Sequence, residues 1–436
     1  MEKNRRTVDV QAFLNENRFS GLQGLVFALC FLAAFFDGMD TAAIAYVAPA
    51  LSVAWGLPKD GLAPVLSAAL LGLALGALIF GPVADRLGRK AVLVCSVLLF
   101  SAMCMASAAA ENVEQLTVLR FITGLGLGAA MPNAVALLSE YCPDRLRPLV
   151  VNTMYCGFPL GAAAGGFAAA RLIPEYGWRA VLTWCGLLPL LLGVAMVFLL
   201  PRSPAYLAAR GGAQDQVRRL LGRINPAADL DGAVFSASSG RAGGHPVGTV
   251  LRAPWLAGSV LLWLCYFMGL VVFYAVINWM PLLLPERGGE IAALFALGGL
   301  GAVAGGYLMA HFDGDRLLAL LSLLAAATLA AAGFAQDRWA AVMVAAVLFA
   351  GVMQNTVQVS LPVLAARLYP PECRTTGIAW MLGIGRFGAV AGTFLVEWLL
   401  HMRLGPQAVF WVLPLPMLVL AGCLLWKRRI YGRQAA

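Results

Sequence analysis

Twelve stretches of this chain, each close to twenty residues long or longer, are apolar almost from end to end. Such a run matches the roughly 30 Å hydrocarbon core of a bilayer at about 1.5 Å of rise per helical residue. Inside hydrocarbon every backbone N–H and C=O must find its partner within the protein, so each run is predicted to be a helix. The predicted spans are 22–48, 62–83, 91–109, 114–138, 149–171, 180–200, 255–284, 291–310, 316–334, 340–364, 376–400 and 407–426. Composition agrees, because only 12% of residues are charged and 61% are hydrophobic, whereas about a quarter of a soluble domain is charged. The first run is too long for the core of a signal peptide, contains acids and has no small-residue cleavage site after it. It therefore reads as a retained helix.

The net charge of +9 follows topology and does not indicate a nucleic-acid partner. With both termini cytoplasmic, 23 of the 31 Lys and Arg fall on the cytoplasmic side, 6 fall outside, and Arg120 and Arg386 lie within spans. That asymmetry fits the positive-inside rule, and the expected location is a bacterial inner membrane. The nine cysteines lie mostly within spans, with no metal-type spacing. We expect no disulfide, no metal and no cofactor. A monomer is expected.

The longest polar interval, 201–253, divides six spans from six. Residues 1–200 are expected to form one six-helix bundle and 254–436 a second, with 201–253 as a cytoplasmic linker. Val217, Leu220, Leu221 and Ile224 among Arg218, Arg219 and Arg223 suggest a short amphipathic helix there, and 236–248 reads as a Gly/Ser/Ala-rich connector. A shift of 227 residues lays Gly124 on Gly351, Pro143 on Pro370, Arg147 on Arg374, Gly161 on Gly388 and Gly165 on Gly392. Two repeated halves with a central site between them are the pattern of a secondary transporter. The intramembrane charges break the repeat: Arg386 takes the slot of Pro159, and Arg120 that of Val347.

Those charges are the candidate chemistry. An Asp at the centre of a spanning helix costs about 2.5 to 3.5 kcal/mol, yet span 1 carries Asp37 and Asp40. At i and i+3 both carboxylates are expected on one helix face, aimed into one cavity. Burial and mutual repulsion would let the pair hold a proton near neutral pH; a polar bond to a neighbouring helix and a sodium site are the other readings. Arg386, near the middle of span 11, needs an anion, either a substrate carboxylate or Asp37/Asp40. Arg120 enters span 4 from the outer side and is expected to serve coupling or substrate attraction, or to snorkel to the interface. Tyr155, Tyr266, Tyr274, Asn278, Trp279, Gln354 and Trp380 are candidate substrate contacts, with packing or interfacial anchoring as the alternative for the aromatic residues and Asn278. Gln354, Asn355 and Gln358 of span 10 could line the cavity or bond between helices.

Several motifs resemble those of the major facilitator superfamily. Gly81-Pro82-Val83-Ala84-Asp85-Arg86-Leu87-Gly88-Arg89-Lys90, between spans 2 and 3, resembles its signature loop, whose acid can cap or pair with a neighbouring helix end. Gly81, Asp85, Arg86, Gly88 and Arg89 are the candidate gating residues. Arg120 followed by Gly124, Gly126 and Gly128 resembles a second motif. Pro201-Arg202-Ser203-Pro204 resembles a third, with Arg202 where the family has Glu. Asp37-Gly38-Met39-Asp40 resembles the aromatic acid:proton symporters within the superfamily. Met154-Tyr155-Cys156-Gly157, Leu262-Trp263-Leu264-Cys265-Tyr266-Phe267, Ile277-Asn278-Trp279-Met280-Pro281 and Gly385-Arg386-Phe387-Gly388 extend the resemblance, which runs to carriers of 3-hydroxyphenylpropionate and 4-hydroxybenzoate. It implies an all-α membrane protein of twelve transmembrane helices in two six-helix bundles. It also implies proton-coupled uptake of an aromatic carboxylate, with both span-1 acids required. An aliphatic or sugar acid as cargo is the rival, and a substrate-sensing receptor is the rival from another class. No constellation for enzymatic catalysis is present in the sequence.

Overall fold

The computed structural model describes residues 7–56, 63–210, 213–236, 246–283, 301, 303–335, 340–370, 372–402 and 405–431. Ten segments among them are long and apolar enough to cross a membrane. One of these, Arg147–Leu199, is two spans, because Gly177 at φ 76°, ψ 175° breaks the helix. The spans are 1 (Gly21–Trp55), 2 (Ala63–Leu87), 3 (Arg89–Ser107), 4 (Val113–Tyr141), 5 (147–176) and 6 (178–199). The second set is 7 (Leu256–Leu283), 8 (described over 303–311), 9 (Gly314–Ala335), 10 (Ala340–Leu368), 11 (Arg374–His401) and 12 (405–431). Most of the predicted span 8 lies outside the described residues. The loop expected at 172–179 shrinks to the break at Gly177.

Local sequence explains the ends and breaks. Span 1 opens with a capping box, in which the Ser20 N–H donates to Gln23 Oε1 at 2.7 Å and the Gln23 N–H to Ser20 Oγ at 3.4 Å. The same Gln23 donates its amide to the Tyr141 carbonyl at 2.6 Å, tying span 1 to the end of span 4. Helix 5 is interrupted at Cys156, where Pro159 has no N–H to offer the Tyr155 carbonyl. Pro414 and Pro416 follow the same rule beside the break at Leu413 in span 12.

Close helix crossings build each half. Gly161 of span 5 lies so near span 1 that a Cβ there would collide with the Phe35 carbonyl. Its repeat partner Gly388 of span 11 lies the same way on the Phe267 carbonyl of span 7. Small residues at such crossings let backbones approach and gain dispersion contact, which is what associates helices when no water is present to be excluded. The shared contact gives the sequence repeat a structural meaning.

The end of the molecule that carries the 81–90 loop, with Arg145, Arg147, Arg202 and Arg374, is its basic end. A small cap covers the first half there. Thr7–Asp9 pairs in parallel with Val234–Ser236, in the register Thr7 to Val234. Helix Gln214–Ile224 is amphipathic, and buries Val217, Leu221 and Ile224 in the same core as Val10, Leu14 and Phe235. Helices Val10–Glu16 and Pro204–Ala209 complete the cap. The strand pair has no precursor in the sequence reading, because three-residue strands carry too few positions to show an alternation.

The two halves meet at this end. Asp85 of span 2 accepts from the Thr376 backbone N–H at 3.0 Å and from its hydroxyl at 2.7 Å, at the start of span 11. Asn152 of span 5 donates to Ser360 Oγ of span 10 at 2.7 Å. Further inward, Trp380 Nε1 donates to the Leu78 carbonyl at 3.2 Å.

Candidate functional site

One cavity of about 100 Å³ lies between the halves, midway along the spans. Spans 1, 4 and 5 supply Asp37, Met131, Tyr155, Phe158 and Pro159. Spans 7, 10 and 11 supply Tyr266, Leu270, Phe273, Tyr274, Asn355, Gln358, Val359, Leu382 and Arg386. Pro159 and Arg386, equivalent by the repeat, both line it, so the charge in the second half sits where the first half has a helix-bending ring.

The cavity holds one acid and one base. Asp37 is 1% exposed and accepts from Thr41 Oγ1 at 3.4 Å. Arg386 Nη1 donates to the Tyr274 hydroxyl at 3.5 Å. Among the described residues no salt bridge joins Asp37 to Arg386. Among the described residues, two buried polar atoms at the cavity have no hydrogen-bond partner, Arg386 Nε and the Tyr155 hydroxyl. Burying such groups unmatched is costly, so the site can take up a ligand that accepts from both. Phe158, Phe273 and the three tyrosines give it flat apolar walls, suited to a ring.

Asp40 has a different environment, which corrects the expectation that both acids of span 1 share a cavity. Its carboxylate accepts from Arg120 Nη1 at 3.3 Å and Nη2 at 3.1 Å, a two-point pair with Asp40 and Arg120 each 1% exposed. Arg120 therefore does not snorkel to the interface. The physical reason is the strong match of a planar guanidinium to a carboxylate where water cannot compete. The helix carries Asp37 toward the second half and Asp40 toward span 4, so the 100° step per residue separates what i, i+3 spacing suggested would stay together.

Two further candidates leave the site. Gln354 donates to the Gly269 carbonyl at 2.8 Å, a bond between spans 10 and 7. Trp380 bonds to Leu78 and packs on Trp263, ring centroids 5.8 Å apart. Neither lines the cavity. The side chains of Asn278 and Trp279 lie outside the described residues. Phe273 is an addition to the expected lining, whereas Asn355 and Gln358 of span 10 line the cavity as the sequence allowed. Asn355 and Gln358 carried a signal, as uncharged amides in an apolar span, whereas Phe273 is one apolar residue in a helix that is apolar all round.

The 81–90 loop forms a second polar cluster. Arg89 pairs with Asp85 at 3.1 Å and with Glu140 of span 4 at 3.3 Å, all three buried. Gly88 takes φ 98°, a backbone state favouring glycine, and so turns span 2 directly into span 3. Arg86 is exposed, and its carbonyl accepts from the Tyr206 hydroxyl at 2.8 Å.

Residues 30–312 and 289–435 match the family model described as Major Facilitator Superfamily. The 4-hydroxybenzoate transporter PcaK of Pseudomonas aeruginosa is 44% identical, over 96% of this chain and 96% of that protein. The gallate transporter of Pseudomonas putida is 39% identical over 96% of this chain and 94% of its own length. The 3-(3-hydroxy-phenyl)propionate transporter of Escherichia coli is 34% identical, over 88% and 89% of the two chains. Among solved structures, the proton:xylose symporter XylE superposes with a TM-score of 0.73, at 16% identity and covering 95% of this chain and 96% of that one, a likeness of fold alone.

Proposed function

Since the chain belongs to the major facilitator superfamily, we propose that it imports a hydroxylated aromatic carboxylate together with protons, through the cavity between its halves. The observation that carries this reading is one guanidinium among the described lining, Arg386, set among aromatic side chains in a cavity of about 100 Å³. The names of the relatives, carriers of hydroxybenzoate, gallate and hydroxyphenylpropionate, support the same substrate class.

In this reading the substrate carboxylate accepts from Arg386 Nε and Nη, a two-point match in a site with little water. The ring lies among Phe158, Phe273 and Tyr274, and its hydroxyl reaches Asn355 or Gln358 on span 10. Asp37 is the proton carrier. Its carboxylate and that of the substrate would both compete for Arg386, so uptake of a proton by Asp37 leaves the guanidinium to the cargo. Asp40 is held by Arg120 and acts as a fixed anchor. The basic end, cytoplasmic by its charge, is held closed here by Asp85 on the start of span 11 and by Asn152 on Ser360. Import would require those bonds to break as the cavity turns inward. Both termini are then cytoplasmic, and residues 1–200 and 254–436 move as two bundles in the bacterial inner membrane, in a chain that acts as a monomer. The lining disfavours a sugar acid, whose many hydroxyls would need more polar partners than the two amides provide.

The test is uptake of labelled 4-hydroxybenzoate by proteoliposomes under an imposed inward proton gradient, with and without a protonophore. Accumulation abolished by the protonophore supports the reading. Accumulation of glucuronate but not of hydroxybenzoate would remove it.

A further inference from the structure

A larger cavity, about 610 Å³, opens at the basic end, apart from the transport cavity. It lies between the start of span 3 and helix Pro204–Ala209. Arg89, Lys90, Arg202 and Arg210 line it, and no Asp or Glu does so among the described residues. Arg89 is neutralised by Asp85 and Glu140. None of the other three cations forms a salt bridge among the described residues. Lys90 donates to the Val197 carbonyl at 2.8 Å. Arg210 lies over the Tyr206 ring, 4.8 Å from its centroid, and donates to the Arg86 carbonyl. Arg202 is exposed, and its positive charge repels that of Lys90 nearby. Three positive charges gathered in one concavity raise a potential that an anion relieves.

The opposite wall decides which anion. Leu87, Ala91, Cys95 and Val197 line it, and Leu87 and the neighbouring Phe198 and Leu199 are 66%, 81% and 51% exposed in turn. In a membrane-spanning chain that surface faces acyl chains, not water. A soluble anion would use the charges and leave the apolar wall idle, whereas a phospholipid uses both. We propose that this cavity binds the phosphate headgroup of an anionic phospholipid, with Arg202 and Lys90 on the phosphate and the acyl chains along Ala91, Cys95 and Val197. Arg202 is the deciding residue. It occupies the place where the family motif has Glu, and a carboxylate there would cancel Lys90 and turn phosphate away. Arg210 and the Tyr206 hydroxyl both hold the Arg86 carbonyl, so the bound headgroup would brace the 81–90 loop.

Native mass spectrometry of the purified full chain tests this, with phosphatidylglycerol, phosphatidylcholine and soluble glycerol 3-phosphate as probes. Retention of phosphatidylglycerol over phosphatidylcholine is expected, together with a loss of about fivefold for each cation removed in Arg202→Gln and in Arg202→Gln/Arg210→Gln. Both side chains are exposed. Arg202→Glu restores the residue of the family motif, so it is compatible with the fold, and it is expected to abolish the preference. Equal retention of the two lipids, or an Arg202→Glu chain that holds phosphatidylglycerol as the parent does, would overturn the proposal. Displacement of the lipid by equimolar glycerol 3-phosphate would overturn it in favour of a soluble anion.

Discussion

Replacing Asp40 and replacing Asp37 by Asn remove the same charge from the same helix, three residues apart, and the structure predicts opposite outcomes. Asp40 holds Arg120 through two bonds of 3.1 and 3.3 Å, with both residues 1% exposed. Asp40→Asn leaves a guanidinium buried without its counter-charge, a change that costs about 3 to 5 kcal/mol. Among the described residues Asp37 accepts the 3.4 Å bond from Thr41 and makes no salt bridge. Asp37→Asn removes a buried carboxylate and is expected to leave stability unchanged within about 1 kcal/mol, or to raise it. The paired substitution Asp40→Asn/Arg120→Gln removes both charges and is expected to recover most of the loss. Denaturant unfolding in detergent micelles, followed by tryptophan fluorescence, measures the stabilities, and gradient-driven uptake in vesicles measures coupling. The expected pattern is a stable, uncoupled Asp37→Asn and an unstable Asp40→Asn rescued in the double variant. Equal stability of the two single variants, or no rescue, would refute the separation of the two acids into an anchor and a carrier.

Arg386→Lys keeps the charge but loses the two-point fork; a loss of at least tenfold in apparent affinity for hydroxybenzoate is expected in uptake assays, with the folded yield retained. Gly38→Ala would drive its Cβ into the Phe158 carbonyl across spans 1 and 5, so folded yield on size-exclusion chromatography should fall sharply. Asp85→Asn removes the charged acceptor of the Thr376 bonds, each worth about 1.5 to 3 kcal/mol. Faster maleimide labelling of an Ala379→Cys reporter, in a Cys95→Ser background, should report the opened basic end. At the turn before span 9, burial raises the Asp313 carboxyl, but the Arg316 backbone N–H and the Arg428 guanidinium outweigh it and hold it below its usual range. The stabilisation from a lowered carboxylate is present above its unfolded value of about 3.9 and is lost as pH falls through the lower folded value. Asp313→Asn should therefore flatten the acid limb of the stability profile below about pH 4.

The spans were legible because hydrocarbon imposes one length and one backbone solution, and hydropathy records both. Their ends were less so. Residues 172–176 look like a loop by composition, with Pro174 and Glu175, yet remain helical until Gly177. In the site, Asp37 and Arg386 announced themselves as charges without water. The bond between Asp40 and Arg120 did not, since it joins residues 80 apart in sequence and depends on how span 1 is rotated against span 4. Gln354 and Trp380 were misplaced for the same reason. Span 10 is apolar on most of its surface, so nothing in the sequence says which of Gln354, Asn355 and Gln358 faces inward. The structure turns Asn355 and Gln358 to the cavity and Gln354 to the Gly269 carbonyl.

The parallel pairing of Thr7–Asp9 with Val234–Ser236 shortens the tether between the halves. The interval 201–253 is long as sequence, but its first part is stitched to the N-terminal segment and the core beneath it. On the far side, Ser259 Oγ donates to the Val250 carbonyl at 3.1 Å, fixing the chain to span 7. Between Ser236 and Pro246 the chain has ten residue steps, which at full extension reach no more than about 36 Å. The basic end is thus on a short leash, whose length bounds how wide that end can gape in each turn of the cycle. Lengthening it would alter the stroke without touching a single residue of the cavity.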